Sequence, residues 1–107
     1  MLVHISHNVE ASEQDAEGFY DYYYEYDILV FSEGEVSLVA RSYIDKPDEV
    51  HFLRLEAIGE HRLLTERDMK STLLIESVAY LRRNGKTEIN WLSGRGNGYQ
   101  PVPGGAP

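Results

Sequence analysis

Tyr22-Tyr23-Tyr24-Glu25-Tyr26-Asp27-Ile28-Leu29-Val30-Phe31-Ser32-Glu33-Gly34-Glu35-Val36-Ser37-Leu38-Val39-Ala40-Arg41-Ser42-Tyr43 decides the fold class. Two runs of β-branched, aromatic and aliphatic residues, 26–31 and 36–43, flank a glycine-bearing turn, which is a hairpin signal. With Ser32-Glu33-Gly34-Glu35 as a four-residue turn, Phe31 opposes Val36, Ile28 opposes Val39, Tyr26 opposes Arg41 and Tyr24 opposes Tyr43. Opposed residues share a sheet face. One face then carries Tyr22, Tyr24, Tyr26, Ile28, Val30, Val39, Arg41 and Tyr43. The other carries Tyr23, Glu25, Asp27, Leu29, Phe31, Val36, Leu38, Ala40 and Ile44.

Asp45-Lys46-Pro47-Asp48-Glu49 is a second turn, with Pro47 presetting φ, and residues 50–58 form a third strand of the meander. Matching apolar to apolar sets Leu53 and Leu55 on the tyrosine–isoleucine face, which becomes the expected core side. Phe52, Arg54 and Glu56 fall on the second face beside Leu29, Phe31, Leu38, Glu25 and Asp27.

Outward from this meander, residues 2–9 alternate as an edge strand, and the polar, acidic 11–18 reads as a mobile loop or one helical turn. After Gly59-Glu60, Thr65 is an N-cap with Asp68 at N3, Leu64 and Met69 are staple partners, and Asn84-Gly85 stops the helix. Met69, Leu73, Leu74, Ser77, Val78, Tyr80 and Leu81 make its apolar half. Residues 86–92 give a last strand. The fold class is α+β: an antiparallel meander sheet of about four or five strands with one amphipathic helix on one face, in the order β-β-β-β-α-β. Residues 1–92 form a single domain, and the Gly- and Pro-rich residues 93–107 form a flexible tail.

Composition narrows the function classes. The chain of 107 residues has no cysteine, so disulfides and thiolate chemistry are absent. No apolar run approaches the roughly 20 residues that span a bilayer, and no secretory leader is visible, so the expected location is cytoplasmic. Net charge is −8, and it is unevenly spread. Residues 1–40 hold Glu10, Glu13, Asp15, Glu17, Asp21, Glu25, Asp27, Glu33 and Glu35 with no Lys or Arg, and all ten basic residues follow. Such a field repels nucleic acid and anionic membranes and attracts a basic protein.

Catalytic and metal readings fail on spacing. His4 and His7 point to opposite faces of one strand, and no carboxylate spacing completes a chelating set, so no metal or cofactor is expected. Gly94-Arg95-Gly96-Asn97-Gly98 leads into a Pro-rich tail instead of a helix N-terminus, which removes the phosphate-loop reading. Glu25, Asp27 and Glu56 are carboxylates on a sheet face without a cleft, so no catalytic residue is expected and the protein is read as a non-enzyme.

What remains is binding. The run 19–27 interleaves tyrosines with acids, and tyrosine recurs at interfaces because it buries much area at low entropic cost. The expected partner surface is Tyr23, Glu25, Asp27, Leu29, Phe31, Leu38, Phe52 and Arg54, with Tyr22, Tyr24 and Tyr26 serving the core. Its expected partner is a basic protein, as for an inhibitory module of the immunity type. The alternative is a homodimeric structural protein that buries Leu29, Phe31, Val36, Leu38 and Phe52, and a further alternative is a small enzyme or small-molecule binder.

Overall fold

The longest strands form where alternation runs longest. β1 (Leu2–Ala11), β2 (Tyr23–Glu33), β3 (Val36–Tyr43) and β4 (Glu49–Ala57) make an antiparallel meander in a computed structural model that describes residues 1–93 and 98–103. β5 (Glu60–Arg62) folds back on the end of β4; a 3-10 turn (Glu66–Lys70) and α1 (Thr72–Arg83) lead to β6 (Glu88–Leu92) and β7 (Tyr99–Pro101). The strand order is β1-β2-β3-β4-β6-β7, with β5 and β6 sharing the second edge of β4. The α+β architecture is as expected, but among the described residues the sheet has seven strands. One pair is parallel: Val50 lies beside Ile89 and Phe52 beside Trp91.

The hairpin turn is two residues, Gly34 and Glu35. Gly34 takes φ 58°, the positive φ that a type II′ turn requires at its first central position. Glu33 therefore pairs with Val36 and Phe31 with Leu38, a shift of two from the expected register. Side chains alternate with period two, so the membership of both faces survives.

Their roles are reversed. Leu29, Phe31, Leu38, Ala40, Val50 and Phe52 are buried beneath α1 in one cluster with Leu64, Met69, Leu74, Leu81, Ile89, Trp91 and Val102. The helix covers the face that the sequence reading left for a partner, and the tyrosine–isoleucine face is the open one. A β-bulge in β4 explains the error. Val39 pairs with Arg54 but Ala40 pairs with Phe52, so Leu53 is an extra residue and parity switches across it. Phe52 and Leu55 thereby share the core face, whereas Arg54 and Glu56 join the open face and pair with each other at 2.9 Å.

Thr65 begins the helical region as expected, but its first turn is 3-10. The Asp68 carboxylate accepts from the Thr65 backbone N–H at 2.7 Å and the Thr65 hydroxyl at 3.0 Å. Both oxygens also accept from Arg62, at 2.8 and 3.0 Å. That guanidinium, followed by the Thr65 bonds, holds the carboxyl below its ordinary pKa despite burial. Ser71 then caps α1 proper, its hydroxyl accepting from Leu74 N–H at 3.2 Å.

Within the region expected to be a flexible tail, Tyr99–Pro101 is a strand that pairs with β6, and Val102 is buried in the core. Residues 94–97 of the glycine-rich stretch lie outside the described residues.

Candidate protein-binding surface

β2 pairs with β1 as far as Tyr23, but with β3 only from Tyr26 onward. Beyond Tyr43 the β1–β2 hairpin therefore continues as a two-stranded arm. Ser12 N–H donates to Tyr22 carbonyl at 3.0 Å, Gln14 bridges Tyr20, and Asp15 N–H donates to Phe19 carbonyl at 2.8 Å. The Asp15 carboxylate closes the tip by accepting from the Glu17 and Phe19 N–H groups, both at 2.9 Å, with Gly18 at φ 88°. This ordered hairpin stands where a mobile loop or helical turn was expected.

An isolated two-stranded ribbon is marginal in water. Here a row of aromatic contacts runs along it: Tyr22 to Tyr24 at 6.1 Å, Tyr24 to Tyr43 at 6.2 Å and Tyr26 to Tyr43 at 5.8 Å, with Tyr20 to Tyr23 at 5.3 Å. The row continues to a cation, because the Arg41 guanidinium lies 4.9 Å from the Tyr43 centroid. Tyr26 donates to Glu10 at 2.5 Å, and that bond holds its phenol above the ordinary pKa.

These contacts leave much ring surface in water. Phe19 is 66% exposed, and Tyr20, Tyr22, Tyr23 and Tyr24 are each about half exposed. Between and around them stand Glu10, Glu13, Asp15, Glu17, Asp21, Glu25 and Asp27, with no Lys or Arg. Tyr23, Tyr24, Glu25, Tyr43, Ile44 and Asp45 line a shallow pocket of about 250 Å³ at the root of the arm. The Tyr23 and Tyr24 rings and the Asp45 carboxylate suit the head of a lysine or arginine side chain, Tyr43 being taken up by Arg41 and Glu25 being shared with His7.

His7 lies opposite Asp27 across the β1–β2 ladder. One ring nitrogen contacts Asp27 at 2.8 Å and the other Glu25 at 2.7 Å. Both nitrogens can donate only in the imidazolium form, and the Asp27 and then the Glu25 hydrogen bonds raise the His7 pKa above 6.5. Tyr23 donates to Glu25 at 3.2 Å, and the charge of Glu25 raises its phenol pKa.

Of the expected partner surface, Tyr23, Glu25 and Asp27 come together at the base of the arm. Leu29, Phe31, Leu38 and Phe52 are core residues under α1, and Arg54 stands on the opposite face. The same burial removes the expected dimer patch, since the chain's own helix covers it. Tyr22 and Tyr24, expected in the core, are exposed on the arm. Phe19, Tyr20, Tyr22 and Tyr24 join the candidate surface. The signal that could have found them is the long acid–aromatic run without a single cation.

No protein-family model, curated protein or solved structure matches the chain at a significant level. Among the described residues no helix is long and apolar enough to cross a membrane.

Proposed function

We propose that the protein is a binding or inhibitory module whose β1–β2 arm docks a basic protein, in the manner of an immunity-type inhibitor, and that it works without catalysis. The observation that carries this reading is the arm itself: seven carboxylates interleaved with five aromatic rings at least about half exposed, and no Lys or Arg. Carboxylates steer a basic surface towards the arm over distances of about a Debye length, roughly 8 Å in physiological salt. Tyrosine rings then supply contact area and cation–π partners at short range. The pocket at Tyr23, Tyr24, Glu25 and Tyr43 receives one lysine or arginine of the partner.

Paired pull-downs from native lysate test this, one bait unaltered and one carrying Tyr23→Ala, Glu25→Lys and Asp27→Lys. A stoichiometric basic protein is expected on the first bait only, released as salt rises. Retention of that protein by the altered bait, or its absence from the unaltered one, overturns the reading.

A further inference from the structure

The two edges of the sheet differ. β7 is three residues long and ends in Pro101, the kind of short, proline-bearing edge that resists pairing. β1 at the other edge is ten residues long, pairs with β2 without a register shift, and contains no Pro, Lys or Arg. It has no bulge, and its charged groups are already engaged within the chain, Glu10 by Tyr26 and His7 by Glu25 and Asp27.

The direction of its free backbone groups follows from the ladder. Ser12 N–H donates to Tyr22 carbonyl, in the same register that sets Glu10 against Tyr24 and Asn8 against Tyr26. Hydrogen-bonded and non-bonded pairs alternate along an antiparallel ladder. The even positions therefore bond to β2, and Val3, Ile5, His7, Val9 and Ala11 aim N–H and C=O outward.

Those five positions read the same in both directions about His7: apolar, apolar, His, apolar, apolar. We propose that β1 pairs antiparallel with β1 of a second copy, centred on His7, joining two sheets into one. In that register Ile5 faces Val9 and Val3 faces Ala11 of the other copy. The intervening positions also match, because His4 meets Glu10 and Ser6 meets Asn8. Ile5 and Val9, 49% and 51% exposed in the single chain, pack across the seam. Each His7 remains with its own Glu25 and Asp27. The fit of a strand to its own reverse is what selects a second copy over a foreign strand. A basic partner strand would have no reason to meet apolar residues in this order.

Glu10 belongs to both this seam and the docking arm, and salt separates the two associations. Each copy carries −8, so added salt strengthens association of like copies and weakens docking of a basic protein. Sedimentation velocity up to roughly millimolar protein reads the dimer. Val9→Pro removes an N–H that points away from β2, so the monomer ladder is kept while two seam bonds per dimer are lost, and the dissociation constant is expected to rise on the order of 30-fold. Ile5→Glu alone and Val9→Lys alone weaken the dimer; the double variant restores it by placing Glu against Lys across the seam. Hydrogen exchange slows on dimerisation at Val3, Ile5, His7, Val9 and Ala11 specifically. A wild-type chain that stays monomeric throughout, a dimer indifferent to Val9→Pro, or a double variant no better than the singles overturns the pairing.

Discussion

Phe31→Ala separates the observed core from the reversed assignment that the sequence suggests. Phe31 is fully buried, its ring 6.0 Å from Phe52 and 5.7 Å from Tyr80 of α1. Truncating a buried phenylalanine costs about 3–5 kcal/mol through lost transfer energy and the residual cavity. Two lost aromatic contacts favour the upper half of that range, so about 4 kcal/mol is expected. For a domain holding roughly 5–15 kcal/mol in total, this is a large share. Trp91, the only tryptophan, is buried in the same cluster and reports unfolding by fluorescence. With a urea slope of about 1–3 kcal/mol/M, the midpoint should fall by roughly 2 M. Ile28→Ala, three positions earlier on β2, on the open face and only partly buried, should cost about 1 kcal/mol. Equal midpoints for the two variants, or a larger loss from Ile28→Ala, would refute the assignment of the core to the Phe31 face.

Two further outcomes follow from the ionised clusters. By NMR titration the His7 imidazole should keep its proton above pH 6.5, and Glu25→Gln with Asp27→Asn should bring it back towards that value. Its raised folded pKa means that the stability it contributes is complete below the unfolded value and is lost as pH rises through the folded one, and a His7 titrating at or below 6.5 in the unaltered protein would contradict the bridging geometry. Asp68→Asn should cost about 2 kcal/mol at neutral pH, a figure discounted because Arg62 is partly exposed. Since the Asp68 pKa is lowered, its contribution is present above 3.8 and disappears as pH falls through the folded value. An acid-unfolding curve in which wild type and variant keep the same separation at every pH would sink that account.

The strands and the helix were legible because their signals are local. Alternation in residues 2–9 and 26–43, the Thr65–Asp68 pairing and the Asn84-Gly85 stop all act within a few residues. The helix start was blurred only because Ser71 offers a second cap and Ser71-Thr72 are weak helix formers, so the turn before them closes as 3-10. The core side was not legible, since both hairpin faces carry large apolar residues and plain alternation puts Leu53 and Leu55 on the tyrosine–isoleucine face. An extra residue at Leu53 voids parity across β4, and nothing in Phe52-Leu53-Arg54-Leu55 announces it. β7 was invisible for a different reason: Tyr99-Gln100-Pro101 is too short to show alternation and ends in a proline, so Tyr99 alone favours a strand and pairing with β6 makes it one. Of the site, the acid and tyrosine content showed in the sequence, while the projection of the arm beyond β3 depends on the unequal lengths of two ladders.

The parallel pairing of β4 with β6 bears on how the chain matures. The first three pairings join neighbours in sequence and close short loops, whereas Glu49 meets Glu88 only after the whole helical segment has been made. A polypeptide leaving the ribosome N-terminus first thus has its meander available before α1, β6 and Val102 exist to cover Leu29, Phe31, Leu38 and Phe52. For that interval the nascent protein presents a sticky sheet to its surroundings, and the speed with which residues 58–102 follow sets its exposure to chaperones and to misassembly.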